Sequence, residues 1–303
     1  VFEIGMNKSG EIKKLSKLVN PDIAIITNIA EAHIENFRNI KDIAKAKSEI
    51  IENIKKNGTL ILNRDDNFFY YLRNKAKKNK INVLSFGYSK NADVRLLKNK
   101  KDILEIKVQN ETLSFKAKNI SNLNIINLLC LLTALKSLQL DLYKTKNFSK
   151  HLEYLSGRGK IHRIKRFKSI FNLIDESYNA NPYSVRNAIK RFSNIDAKYR
   201  KKYLLLGDML ELGIKSNIYH NNLSNLINNA DIDKIFVYGD KILNTFKNTK
   251  KQKRGNILQY RSDFDDIFSN IIKKNDYLMI KGSNATGLNK LTNNIKTNKI
   301  NAL

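Results

Sequence analysis

The stretch Asp175-Glu176-Ser177-Tyr178-Asn179-Ala180-Asn181-Pro182 joins an apolar run at 170–174 to a helical pattern that follows Pro182. That order predicts a strand, a tight polar turn and a helix with proline in its first turn. A carboxylate at the strand end can accept hydroxyl hydrogen bonds, and the unpaired amides of the helix start can meet an anion. Working outward, strands are expected near 170–175, 203–207, 234–238 and 277–281, each followed by a helical stretch. This is an α/β, Rossmann-like doubly wound layout, in which ligands sit at the carboxyl ends of the strands. Glu176, Asp208, Gly239 and Lys281-Gly282-Ser283 fall at those ends.

Towards the N-terminus the alternation continues. Residues 23–27 read as a strand leading to a loop that carries His33, and 44–54 as part of a helix. Strands follow at 59–63 and 81–86. Three short alternating segments at 94–97, 103–108 and 112–115 predict an antiparallel meander at a sheet edge. Residues 122–140 form a strongly apolar helix. The first half is therefore a mostly parallel sheet with an antiparallel appendage. Ser156-Gly157-Arg158-Gly159-Lys160 breaks the pattern, so domains are expected at 1–155 and 156–303.

With 42% hydrophobic residues, 303 residues suffice for two cores of ordinary size. The single cysteine, Cys130, lies in an apolar run and reads as a core residue of a reducing compartment. The longest apolar stretch, 125–135, is too short to span a membrane, and no signal segment opens the chain; a soluble cytoplasmic monomer is expected. The formal charge of +28 raises the question of a polyanionic partner. Yet the lysines are scattered through polar connections, and no zinc-finger, helix-turn-helix or RNP pattern occurs, so nucleic acid is not expected as the primary partner. The charge still favours nucleotide and phosphate ligands.

The 175–182 stretch resembles the DDSYNANP signature of the Mur ligase family, specifically the branch that uses D-alanyl-D-alanine. Other segments match the family in order: Glu3-Ile4-Gly5-Met6-Asn7, the stretch Thr27-Asn28 to His33, Ala44-Lys45-Ala46-Lys47-Ser48-Glu49-Ile50, Gly157-Arg158, Gly207 to Gly213, and Lys281-Gly282-Ser283. The resemblance implies an ATP-dependent amide ligase that joins D-alanyl-D-alanine to UDP-N-acetylmuramoyl-tripeptide through an acyl phosphate. Residues 1–155 would be the C-terminal part of the central ATPase domain and 156–303 the C-terminal domain.

The same resemblance implies residue roles. Glu3, placed at the end of a strand, His33 and Lys47 would hold magnesium. Lys47 would first be carbamylated, which needs a neutral amine and hence a depressed pKa; Lys45 is its rival. Asn124 and Asn127 would contact adenine, although Leu123 stands where the family has histidine and Ser121 where it has glycine. Arg158 would meet the ATP phosphates from a Gly-Arg-Gly hinge, and Glu176 would sit near the ribose. Asn28, Asn179, Asn181, Asp208, Glu211, Lys281 and Ser283 are candidates for the two substrates. Asp208 and Glu211 read equally well as turn or cap residues. Asn284 takes the place of a common arginine.

No G-x-x-x-x-G-K-S/T phosphate loop occurs in the 303 residues. The family carries that loop and a UDP-binding domain ahead of the segment at Glu3, so the expectation is a fragment inactive alone. Two alternatives stand beside it. One is another Mur or folylpolyglutamate-type ligase; the other is a non-catalytic module that binds nucleotides or polyanions.

Overall fold

The computed structural model describes residues 1–100, 103–116, 122–144, 156–166 and 169–297. Contacts divide the chain into two units, Val1–Ala30 with Asn36–Glu153, and Glu31–Glu35 with Tyr154–Leu303.

The first unit holds a six-stranded sheet in the order β1-β2-β3-β4-β5-β6. Strands β1 (Ile23–Ile26), β2 (Thr59–Asn63), β3 (Asn82–Gly87) and β4 (Val94–Lys100) run parallel. Strands β5 (Ile103–Val108) and β6 (Glu111–Lys116) complete an antiparallel meander from β4. The residue patterns explain the difference. β2 buries Leu60, Ile61 and Leu62 in succession, as a strand covered on both faces must. In β6 only Leu113 and Phe115 face inward, the alternation of a sheet with one wet face. Helix α3 (Phe69–Lys78) buries Phe69, Leu72 and Ala76, and helix α4 (Asn122–Ser137) packs Ile125, Leu128, Leu129 and Leu132 into the same core as Ile61, Phe86, Leu104 and Phe115.

Helix α1 (Glu11–Val19) was not legible in advance. Its start lacks a capping side chain of its own. The Glu49 carboxylate takes the Gly10 N–H at 2.8 Å and the Lys13 N–H at 3.1 Å instead, a negative charge at the positive helix end. The helix expected over 44–54 begins earlier, as α2 (Ile40–Lys47), with the Asn39 side chain accepting from Lys41 and Asp42. At Ser48 it tightens into a 3-10 turn, Ser48–Asn53, where the serine hydroxyl donates to the Lys45 carbonyl at 2.6 Å. Glu3 is exposed and lies in no strand, correcting its expected place at a strand end; β1 is the edge of the described sheet.

The second unit contains a sheet in the order β11-β10-β9-β12-β8-β7. Strands β8 (Ser169–Asp175), β9 (Lys202–Gly207), β10 (Lys234–Tyr238), β11 (Arg254–Leu258) and β12 (Tyr277–Lys281) are parallel, and β7 (Lys160–Arg166) pairs antiparallel with β8. Helices α5 (Pro182–Ser193), α6 (Ser216–Asn229), α7 (Leu243–Asn248), α8 (Arg261–Asp266) and α9 (Leu288–Thr297) connect and flank them. β9 is buried throughout, Lys202 included. Its ammonium is satisfied at the strand start by the Ser193 carbonyl at 2.8 Å and the Asp231 carboxylate at 2.7 Å. Phe171, Phe236, Phe268, Leu278 and Ile280 form the central packing.

β12 lies between β8 and β9, with Ile280 opposite Asp175 and Lys281 opposite Leu206. The carboxyl ends of three central strands therefore stand side by side. Among the described residues no helix is long and apolar enough to cross a membrane.

Candidate functional site

In the second unit the sequence-predicted residues after β8, β9 and β12 converge. The Ser283 hydroxyl donates to the Ala180 carbonyl at 3.2 Å and accepts the Leu210 N–H at 2.9 Å, so one side chain ties all three loops. The Ser283 N–H donates to the Asp208 carbonyl at 3.0 Å. Lys281 is buried, and its ammonium donates to the carbonyls of Asn179 at 2.9 Å and Glu176 at 3.3 Å. Burial pulls the Lys281 pKa down, and the Glu176 carboxylate, 3.6 Å away, counteracts part of that. The Asp208 carboxylate accepts the Ile242 N–H at 2.7 Å. Asn181 caps α5 by accepting the Ser184 N–H at 2.8 Å, and Ser184 returns a bond to the Asn181 N–H. Asn179 is exposed.

These contacts explain why such polar residues occupy strand ends. Turn carbonyls and amides left over from the sheet need partners, and buried side chains supply them. Sequence reading missed one of these partners. His220, fully buried on α6, accepts the Met209 N–H on Nε2 at 3.1 Å, while Nδ1 faces the Ser216 carbonyl at 2.8 Å. Those partners assign the proton to Nδ1. Burial lowers the His220 pKa, with the Ser216 carbonyl opposing.

The Gly-Arg-Gly segment is anchored to β8. Gly157 has φ +75°, and a Cβ there would lie 2.7 Å from both Cβ and N of Tyr178, so only glycine fits. Gly157 donates its N–H to Asp175 at 3.2 Å, and Gly159 donates to the Asp175 carbonyl at 2.7 Å. Asp175 also takes Lys296 Nζ at 2.5 Å and the Ser177 hydroxyl at 2.6 Å. Arg158 between the glycines is exposed, its guanidinium 4.6 Å from the centre of the Tyr178 ring. Glu176 is held by Arg191 at 2.6 Å.

In the first unit Lys47 and Lys45 are sharply distinguished. Lys45 is exposed and 3.6 Å from Asp42. Lys47 is half-buried at the end of α2, its Nζ donating to the Asn28 carbonyl at 2.9 Å. Burial lowers its pKa, with the charge of Asp66 opposing. Two adjacent carboxylates after β2 organise the neighbouring strand ends. Asp66 accepts the Ile29 N–H at 2.7 Å in the loop after β1. Asp65 accepts the Tyr88 and Ser89 N–H groups, at 2.6 and 2.9 Å, after β3.

Residues Glu31–Glu35 belong by contact to the second unit, where His33 Nδ1 lies 2.6 Å from Glu211. Both residues have left-handed backbones, φ 51° and 61°. Nε2 of His33 is the ring nitrogen that this contact does not use. Among the described residues no three His, Cys, Asp or Glu side chains gather as a metal cluster. Asn127 is exposed on α4; the side chain of Asn124, and Ser121, lie outside the described residues.

Two family models match the chain: the Mur ligase middle domain over residues 1–135, and the Mur ligase glutamate ligase domain over residues 162–284. The UDP-N-acetylmuramoyl-tripeptide–D-alanyl-D-alanine ligase of Rickettsia prowazekii is 30% identical over 304 residues, covering 96% of this chain and 65% of that protein. MurF from Acinetobacter baumannii superposes with a TM-score of 0.84 at 24% identity, over 98% of this chain and 64% of its own. MurF ligase from Thermotoga maritima, solved in complex with ADP, superposes with a TM-score of 0.80 at 22% identity, over 97% and 66%. The chain thus spans about two thirds of the length of these relatives. The matched models lie one in each half, in the family's order, and the folds agree: the chain belongs to the Mur ligase family.

Proposed function

We propose that the natural protein carrying this chain is an ATP-dependent amide ligase that joins D-alanyl-D-alanine to UDP-N-acetylmuramoyl-tripeptide. Residues 1–155 contribute to its ATPase domain and 156–303 form its C-terminal domain, in a cytoplasmic monomer. The observation that carries the reading is Lys47. Its amine is half-buried, hydrogen-bonded to a carbonyl and shifted towards the neutral form, which is the form that reacts with carbon dioxide. Exposed Lys45 offers none of this.

In the reaction the terminal carboxylate of the tripeptide attacks the γ-phosphorus of ATP, giving an acyl phosphate and ADP. The amine of D-alanyl-D-alanine then attacks the acyl carbon, and the tetrahedral intermediate expels phosphate as the amine loses its proton. Magnesium supplies neutralisation of the phosphoryl charge. A carbamate on Lys47 would add oxygen ligands of the kind magnesium prefers, and exposed Glu3 would offer a carboxylate. His33 has Nε2 to offer while Glu211 holds Nδ1, the arrangement expected of a ligating histidine. Arg158 presents a guanidinium to phosphate from a segment whose backbone is fixed by Asp175. Asn127 is our choice for the adenine contact, with Asn124, and Glu176 for the ribose side. Exposed Asn179 and the loops locked by Lys281, Ser283, Asn181 and Asp208 shape the acceptor side, with Asn28 and Glu211 at the nucleotide-peptide substrate.

The test is phosphate release by the full natural protein with ATP, magnesium and both substrates. Release is expected only when the tripeptide nucleotide and D-alanyl-D-alanine are both present. Lys47→Ala should lower it about a hundredfold or more, on the scale of losing a key charge-stabilising group. Turnover with a different carboxylate and amine, and none with this pair, would retire the substrate assignment.

A further inference from the structure

The bond from Lys47 Nζ and the bond to Asp66 meet on one peptide group. The carbonyl of Asn28 accepts Lys47 Nζ at 2.9 Å, and the N–H of the same peptide, that of Ile29, donates to Asp66 Oδ2 at 2.7 Å. The other carboxylate oxygen, Oδ1, accepts the Phe68 N–H at 2.8 Å, and the Phe69 N–H donates to the Asp66 carbonyl at 3.0 Å. Asp66 is therefore fixed in its own turn and holds the 28–29 peptide from one side only. Ile29 and Ala30 are buried, which seats the loop beyond it. A peptide plane has two opposed polar ends. Turning it would release both the Asp66 bond and the Lys47 bond at once. A carboxylate on the N–H also polarises the carbonyl, strengthening the bond at the far end.

We infer that Asp66 is a positioning residue: by clamping the Asn28–Ile29 peptide it sets where the Lys47 amine stands. It does not touch the reacting atoms, and no motif pointed to it. The inference rests on the reading of Lys47 as the functional amine, but its test does not require turnover.

The experiment is brief acetylation of the full natural protein, with the Lys47-to-Lys45 labelling ratio read by mass spectrometry. Hydrogen exchange at the Ile29 amide is followed alongside, in the native protein, Asp66→Ala and Asp66→Asn. Asp66→Ala frees the peptide, so the Lys47 amine loses its fixed acceptor and is exposed to reagent. The ratio should rise about tenfold, the scale of one lost hydrogen bond, and Ile29 should lose protection. Asp66→Asn keeps one acceptor oxygen for two N–H groups, so it should fall between. An unchanged ratio in folded Asp66→Ala, or in Asp66→Asn should the alanine variant not fold, overturns the inference whether or not Ile29 keeps its protection. The carbamate is read separately by carbon-13 NMR with labelled bicarbonate. Its absence from native protein whose ratio shifts as stated would retire the carbamate and leave the clamp standing.

Discussion

Asp175→Ala should be among the most damaging single changes in the second unit. The carboxylate is 1% exposed and receives the Lys296 ammonium, the Ser177 hydroxyl and N–H, and the Gly157 N–H. Removing it leaves a cation and three donors without their acceptor. Breaking a buried pair from one side costs about 3–5 kcal/mol. The Lys296 side chain is 13% exposed and can reach water in part, which places the expected loss near the lower end, about 3 kcal/mol. The pH dependence has a definite sign. Burial pushes the Asp175 carboxyl up, but the bonds from Lys296 and Ser177 outweigh it and hold the carboxyl below its ordinary value. A depressed carboxyl stabilises fully above its unfolded pKa of about 4 and loses that contribution as pH falls through the folded value. Urea unfolding read by hydrogen exchange in β8 and β12, at pH 7 and again near the acid limb, gives both quantities. A loss under about 1 kcal/mol, or an acid limb unchanged in the variant, would refute the assignment of this network.

Gly157→Ala combines a left-handed backbone with a Cβ 2.7 Å from Tyr178, so a destabilisation of about 2–4 kcal/mol is expected in the same unfolding measurement. His220→Leu leaves the Met209 N–H without its acceptor and should cost about 1–3 kcal/mol at neutral pH. Because burial lowers the His220 pKa, its contribution is present above about pH 6.5 and fades as pH falls through the folded value; the variant should lack that slope. Lys281→Met removes a buried cation that ties the 176–179 turn, and hydrogen exchange at Tyr178 and Asn179 should accelerate while β10 is unaffected.

Much of this architecture is written in local pattern. The parallel strands announce themselves as apolar runs with polar ends, and the alternation in 103–108 and 111–116 marks the meander. β7 was missed because Lys160-Ile161-His162-Arg163-Ile164-Lys165-Arg166 is a basic edge strand with few inward positions. β11 was missed because it contains Gly255, placed where a Cβ would sit 2.5 Å from the Phe236 ring. Among the site residues, those in recognisable turns were visible and those that act by reaching across the fold were not. Asp66 meets Ile29 across 37 positions of sequence, and His220 lies on the hydrophilic-looking α6 with nothing local to show that it supports Met209. The choice of Lys47 over Lys45 became physical only when burial separated two lysines two residues apart.

The most direct measurement of the central claim uses tripeptide nucleotide labelled with oxygen-18 in its terminal carboxylate, incubated with ATP, magnesium, D-alanyl-D-alanine and the full natural protein. Passage through an acyl phosphate predicts one labelled oxygen in each phosphate released, in step with amide formed. Amide formation with unlabelled phosphate would contradict the account.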